Sequence, residues 1–377
     1  MTRTESTLGR ATRYTVVASA IAIAALSGKA ADLPAFRTSA LAADQAGGEP
    51  GDEPKGTLWV VNRDLGRLAI FDAATGTLMA PLVPVGRGAH DICISEQARK
   101  AYVTAETDNA VTVVDTETLA TESIPVAPLP HHLEPSNNGR TIYVSLASHP
   151  TTLPAIGAPQ YAAIDTRDHS VTYRTTSDNA GARSHGVTPT LDGETLYVAH
   201  DTGNEVTAVN LDDAGGVAFT VPNIPRAEEL IPSRSGDVLW VSSRGDGSVK
   251  RIDLVTHTVT ASVPVGVQPE SMMLTPNERT LVVSLRGTPA SLGFIDTTTV
   301  DGPAPVVQVV PIAGAGSNGD LAVMTPNGHY VFATYDKGPT GTGGVVVVDV
   351  RTRRIVNSWE FPGTGRPHGI WYSKDRR

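Results

Sequence analysis

The chain contains a single cysteine, Cys93. An internal disulfide is therefore excluded. Cys93 sits between Ile92 and Ile94, the setting of a small buried hydrophobe. Stability must come from packed secondary structure alone. Aromatic residues make up only 5% of the sequence. No apolar run is long enough to cross a membrane, since Val16 to Leu26 falls well short of a spanning helix. A basic excess is also missing. The formal net charge is −9, and the first thirty residues carry Arg3, Arg10, Arg13 and Lys29 against Glu5, which leaves about −12 on the remainder. Such a body repels phosphate backbones, which argues against a nucleic-acid partner. No Gly-x-Ser-x-Gly elbow, Walker loop or dinucleotide fingerprint stands in a strand–helix context. Gly314-Ala315-Gly316 has no helix behind it to give it phosphate-binding meaning. Covalent haem is excluded because there is no Cys-x-x-Cys-His.

Glycine (36) and proline (27) are plentiful. That suits many short strands and many turns. The N-terminus reads as a secretory leader over residues 1–30. Arg10 and Arg13 precede the short apolar core, and small residues follow at Gly28-Lys29-Ala30 and again at Ala40-Leu41-Ala42. Cleavage could fall as late as residue 42. No twin-arginine pair and no cysteine after the core point to Tat export or a lipid anchor. Residues 31–56 read as a flexible linker. A periplasmic or secreted location is expected.

From residue 57 one pattern recurs. His185-Gly186-Val187-Thr188-Pro189 leads through Asp192-Gly193 to Leu196-Tyr197-Val198. Two short strands joined by a tight turn is the natural reading. The unit starts again at His90, His131, Glu228, Glu270, Asp320 and His368, with spacings of 41 to 54 residues. A second run follows each start, as in Tyr102-Val103-Thr104, Tyr143-Val144-Ser145 and Trp240-Val241-Ser242. A third ends in Asp72, Asp115, Asp165, Asn210, Asp253, Asp296 or Asp349. A fourth runs toward Pro-Val-Gly, as at Pro84-Val85-Gly86 and Pro264-Val265-Gly266. Four strands per unit of about 40–45 residues mark a propeller blade. The carboxylates ending the third strand cap the turn behind them.

Tyr102-Val103-Thr104, Pro367-His368-Gly369-Ile370 and the run from Asp192 to Val198 resemble the YVTN-type β-propeller repeat family. The resemblance covers roughly residues 57–373. It implies an all-β, seven-bladed propeller with the C-terminal strand closing the ring beside the N-terminal three. It says little of activity. Similar scaffolds serve as lactonases, binding proteins and oxidoreductase subunits.

In a propeller the first strands line a central channel. His90, His131, His185, Glu228, Glu270, Asp320 and His368 would then ring one mouth. Neutral imidazoles with carboxylates suit Zn²⁺ or Cu²⁺. The alternative is a wide mouth of solvated side chains with no ion. His132 follows His131 directly, and strand alternation predicts that only one of the two faces the channel. Arg63, Arg183, Arg226, Arg244, Arg286 and Arg366 fall near the same mouth. They could hold a carboxylate or phosphate, or pair with Glu106, Asp201, Glu229 and Asp336. Two functions remain open. One is a monomeric binding module for a small anionic ligand or a protein partner. The other is a metal-dependent enzyme, lactonase-like or of a copper oxidoreductase type, with Glu228 or Glu270 as ligand or general base.

Overall fold

The structure is a computed structural model, and it describes residues 54–147, 160–179, 182–212, 216–266, 268–314, 317–338 and 340–374. The expected leader, and all of the linker up to residue 53, lie outside the described residues. Among the described residues no helix is long and apolar enough to cross a membrane.

Twenty-eight strands form seven four-stranded antiparallel sheets. The protein is a seven-bladed β-propeller. The first blade takes three strands from the start of the chain, Thr57–Asn62, Arg67–Asp72 and Val83–Pro84. Its innermost strand is the last of the chain, Pro367–Ser373. Thr57 pairs with Ser373, Trp59 with Trp371 and Val60 with Ile370. The ring is closed by hydrogen bonds between the two ends of the chain, which give the first blade its full four strands. The next six blades follow in sequence order, with innermost strands Ala89–Ser95, Pro130–Pro135, Ser184–Pro189, Ala227–Pro232, Pro269–Leu274 and Asn318–Met324.

Apolar residues run almost unbroken along the inner three strands, as in Leu58-Trp59-Val60-Val61 and Val345-Val346-Val347-Val348, so each sheet buries both faces against its neighbours. One apolar cluster runs from Ile231 through Phe294 to Val350, across three blades. The third-strand carboxylates behave as turn caps. Asp115 Oδ1 accepts from the backbone N–H of Glu117 and Thr118 at 3.1 and 2.8 Å, while Oδ2 takes Lys100 Nζ at 2.7 Å. The Lys100 bond first, then the Thr118 N–H, holds this carboxyl down to about 2. Its stabilisation is therefore complete above the unfolded value near 4 and disappears as pH falls toward 2. Asp115→Ala is expected to cost about 1 kcal/mol at pH 7 in a denaturant titration. The difference from the parent protein should vanish by about pH 2, wherever both remain folded.

One irregularity recurs in every blade and decides where the polar side chains go. The innermost strand carries a bulge at the same place each time. In the second blade Ala89 pairs with Ala105 and Ile92 with Val103, so His90 and Asp91 together face Thr104 alone. A bulge frees a backbone N–H from the ladder. The hydroxyl ending the Tyr-Val-Thr/Ser run takes that role. Thr104 Oγ1 accepts from Asp91 N at 3.0 Å, Ser145 Oγ from His132 N at 2.9 Å, Ser242 Oγ from Glu229 N at 2.9 Å and Thr334 Oγ1 from Leu321 N at 2.7 Å. The recurrent Ser/Thr thus has a structural cause: it satisfies the bulge that aims two side chains inward.

Candidate functional site

The seven ring positions converge. His368, His90, His131 and His185 come from four successive blades, and their rings touch in a chain. Centroid distances are 4.1 Å for His90–His368, 4.0 Å for His90–His131 and 4.5 Å for His131–His185. Glu228, Glu270 and Asp320 complete the circle and are 0–2% exposed. The alternative of a mouth lined by solvated side chains does not describe the ring. Six of the seven ring residues are buried, and His131 retains 12% exposure of its side chain. The bulge explains this, because it tips the side chains toward the axis where they close on one another.

Hydrogen bonds fix which imidazole nitrogen carries a proton. His368 Nδ1 donates to the backbone carbonyl of His90 at 2.9 Å, and His185 Nδ1 to that of Glu228 at 3.2 Å. A carbonyl can only accept, so both Nδ1 atoms hold hydrogen. His131 Nδ1 bonds Glu106 Oε1 at 2.5 Å, and Arg63 holds the other oxygen of that carboxylate at 2.5 Å. This carboxylate–imidazole pairing is the arrangement that orients metal-ligating histidines. It leaves Nε2 of His131 turned to Nε2 of His185, 3.1 Å away. With both Nδ1 atoms committed to donation, the contact needs a proton or a metal ion. A proton on His185 Nε2, drawn there by Glu228 Oε2 at 2.6 Å, satisfies it, and a metal ion bound here would displace that proton. A separation of 3.1 Å suits two adjacent ligands, each ~2.0–2.1 Å from one ion. His90 Nδ1 is buried and has no hydrogen-bond partner among the described residues.

The electrostatics divide the ring. Burial, followed by the neighbouring imidazoles, holds His90 and His131 well below the usual histidine range. Burial and then Arg63 and Arg286 do the same for His368. These three stay neutral at pH 7 and able to ligate. At His185 burial acts downward, but Glu228, with Oε2 at 2.6 Å from Nε2, overrides it and pushes the group up to about 10. Glu228 is resisted by burial yet drawn down to about 2 by His185 and Arg244. Burial lifts Glu270 to about 8 against the pull of Arg286 and Arg244, and Asp320 to about 7 against Arg286. Asp320 Oδ1 lies 3.1 Å from His368 Nε2.

All six mouth arginines are paired. Arg63 meets Glu106, Arg183 meets Asp201 through Nε at 2.9 Å, and Arg366 meets Asp64 at 2.7 Å. Arg244 Nη1 bridges Glu228 and Glu270 at 3.1 and 2.9 Å, Arg286 reaches Glu270 at 3.5 Å and Arg226 reaches Glu228 at 3.6 Å. Of the expected partners, Glu106 and Asp201 take arginine, while Asp336 instead accepts from Asn318 and Gly338. Arg183 and Arg226 still border an open depression of about 440 Å³ with Asp201, Thr202 and Asn204.

His132 departs from the alternation rule. It is fully buried, and its ring lies 4.9, 4.5 and 4.7 Å from those of His90, His131 and His185. The bulge turns both members of the His131–His132 pair inward, so the period-2 argument fails at that point. The same displacement brings in Asp91 and Glu229, each one residue past a ring position. Glu134, further along the third inner strand, is buried with them. None of these was marked as a site residue by sequence reasoning. The signal was present: the residue after each ring position shares its bulge. Three groups of donors have ligand atoms within 4.8 Å of one another: His90, His131 and His132; His132, His185 and Glu229; and His185, Glu228 and Glu270.

No family model matches this sequence, and no curated protein does. Solved structures match in fold. The periplasmic gluconolactonase PpgL of Pseudomonas aeruginosa is 16% identical with a TM-score of 0.65, over 84% of this chain and 98% of that one. A functionally unknown protein from Desulfotomaculum acetoxidans reaches 0.65 at 10% identity, over 84% and 99% of the two chains. Hydrazine synthase of Kuenenia stuttgartiensis reaches 0.59 at 16% identity, over 70% and 77%. At these identities the likeness is one of fold. The class defined by fold and site together is a seven-bladed propeller with a histidine–carboxylate cluster closing its channel.

Proposed function

We propose that this propeller holds a divalent transition metal, Zn²⁺ or Cu²⁺, at the channel mouth and binds a small anionic ligand beside it. The repeat likeness to YVTN-type propellers and the leader-like N-terminus support an exported, periplasmic protein of that kind. The observation carrying the metal is the convergence of donors. His90 gathers with His131 and His132, and His185 with Glu228 and Glu270, and in each group the ligand atoms lie within 4.8 Å of one another. An ion between His131 Nε2 and His185 Nε2, 3.1 Å apart, would displace the proton on His185. His368 supplies a further neutral imidazole. The ligand's anionic group would lie in the depression, where Arg183 and Arg226 keep 33% and 47% of their side chains exposed.

A second reading, lactone hydrolysis, is favoured by the gluconolactonase among the fold neighbours and by the paired carboxylates next to the imidazoles. A bound divalent ion supplies polarisation of an ester carbonyl. Glu228 or, above its raised value of about 8, Glu270 would take the proton from water. Arg183 and Arg226 would hold the substrate's carboxylate or phosphate.

The two readings separate in one assay series. Metal-loaded protein is offered sugar lactones with free or phosphorylated side groups, and acid release is followed above the buffer rate. Under the enzymatic reading turnover is saturable, and Arg226→Ala raises KM about tenfold with little change in kcat. Under the binding reading turnover is absent, but the corresponding acids bind saturably by calorimetry and Arg226→Ala weakens them. Neither turnover nor binding contradicts both.

A further inference from the structure

Two of the six mouth arginines are held far more loosely than the rest. Arg63, Arg183, Arg244 and Arg366 each have a carboxylate oxygen within 2.9 Å. Arg226 comes no nearer to one than 3.6 Å, from Glu228 Oε1, which is too long for a hydrogen bond. Arg286 reaches only Glu270 Oε2, at 3.5 Å, beyond the usual N–H···O range. Asp320 and Asp336 attract Arg286 from further away, and neither forms an ion pair with it among the described residues. Both guanidiniums reach solvent, with 47% and 32% of their side chains exposed.

The two stand at the ends of one row on the fifth and sixth blades. Glu228 lies between Arg226 and Arg244, and Glu270 between Arg244 and Arg286. Arg244 fills the middle. Its Nη1 holds both carboxylates, and its Nε donates to Gln268 Oε1 at 3.2 Å. At 13% exposure it offers little to a ligand.

The backbone of Arg226 is fixed while its guanidinium is not. Its N–H donates to Asn204 Oδ1 at 2.8 Å, and its carbonyl accepts from Arg244 N at 3.0 Å. Its φ is 49°, a left-handed conformation that disfavours any residue with a Cβ. In the second blade the same place, two residues before the ring position, is Gly88 with φ 68°. The turn therefore accepts glycine and does not require arginine. A strained residue whose side chain makes no hydrogen bond of its own points to a role outside the fold.

We propose that Arg226 and Arg286 form the two ends of a site for an elongated small molecule with an anionic group, carboxylate or phosphate, at each end, laid across Arg244. This rests on the anion-binding reading above and extends it from one anionic group to two. A guanidinium with open donors takes either group through paired hydrogen bonds. One end fits the depression that Arg226 borders with Thr202 and Asn204. Arg183, on the far wall of that depression, is already committed to Asp201 through Nε and Nη2. Two-point attachment raises affinity only when the spacing of the ligand's ends matches that of the guanidiniums.

Calorimetric titration with succinate, adipate and sebacate, with bisphosphonates of matching lengths, and with the monoanion hexanoate tests this. In at least one series a dianion should bind at least about tenfold tighter than hexanoate, with affinity falling at shorter and longer lengths. Arg226→Gly and Arg286→Gln should each bring that dianion to within about threefold of hexanoate. Arg226→Gly should melt no lower than the parent, because glycine suits the left-handed turn, so its loss of binding is not a loss of fold. Hexanoate and the dianions binding alike at every length would overturn the two-ended site and leave the single-anion reading standing. A tightly bound dianion indifferent to Arg286→Gln would overturn it as well. No anion bound at all would sink both.

Discussion

A chain lacking residues 366–377 is expected to lose its cooperative melting transition and to aggregate. The deleted segment is the innermost strand of the first blade, paired along Thr57–Asn62. Without it Leu58, Trp59, Val60 and Val61, all at most 2% exposed, lie on an open strand edge. Such an edge recruits other chains. Ile370 and Trp371 are themselves buried, at 2% and 6% exposure. Removing two such side chains costs about 5–10 kcal/mol in transfer and cavity terms. That is comparable with the whole stability of a typical domain, about 5–15 kcal/mol. Size-exclusion chromatography and a thermal melt decide the matter. A truncated protein that stays monomeric and melts at the parent temperature would contradict closure by this strand.

Arg244→Ala should be the most damaging single substitution in the ring. Arg244 is 13% exposed and bridges Glu228 and Glu270, which are 0% and 2% exposed. Removing it takes a close cation from the ionised Glu228 and a hydrogen-bond donor from Glu270, whose carboxyl burial already lifts to about 8. His185 remains on Glu228 at 2.6 Å, and Arg286 on Glu270 at 3.5 Å. Breaking a buried charge pair from one side costs about 3–5 kcal/mol, on the order of 5–10 °C in melting temperature for a chain of this size. Glu270→Gln in the same background should recover part of the loss above pH 8, where Glu270 would otherwise ionise beside Glu228, and little of it at pH 7. An Arg244→Ala protein melting within a degree of the parent would show that the bridge contributes nothing.

The blades were legible because each repeats the same alternation and the same turn. Asp192-Gly193 and its equivalents set the hairpins, and the recurring Tyr-Val runs set the second strands. Closure was legible from phase: the chain opens on a second strand and ends on a first, with Leu58 facing Tyr372. The convergence of His90, His131, His185, Glu228, Glu270, Asp320 and His368 followed from circular geometry alone. What the repeats hid was the bulge. A strict period of two puts His131 and His132 on opposite faces, but two residues opposite Ser145 bring both inward. The same one-residue irregularity closes the mouth and buries Asp91 and Glu229. Position in a repeat also could not tell which carboxylate each arginine would find. Arg366 reaches Asp64, 302 residues away, because closure brings the two ends of the chain together.

Imidazoles from successive blades are proposed to share one ion at the mouth. Electron paramagnetic resonance of the protein loaded with a single equivalent of Cu²⁺ tests it most directly. The account requires superhyperfine splitting from at least two imidazole nitrogens, with the pattern losing a nitrogen in His131→Ala and again in His185→Ala. A spectrum of free or oxygen-ligated copper, unchanged by either substitution, would contradict it.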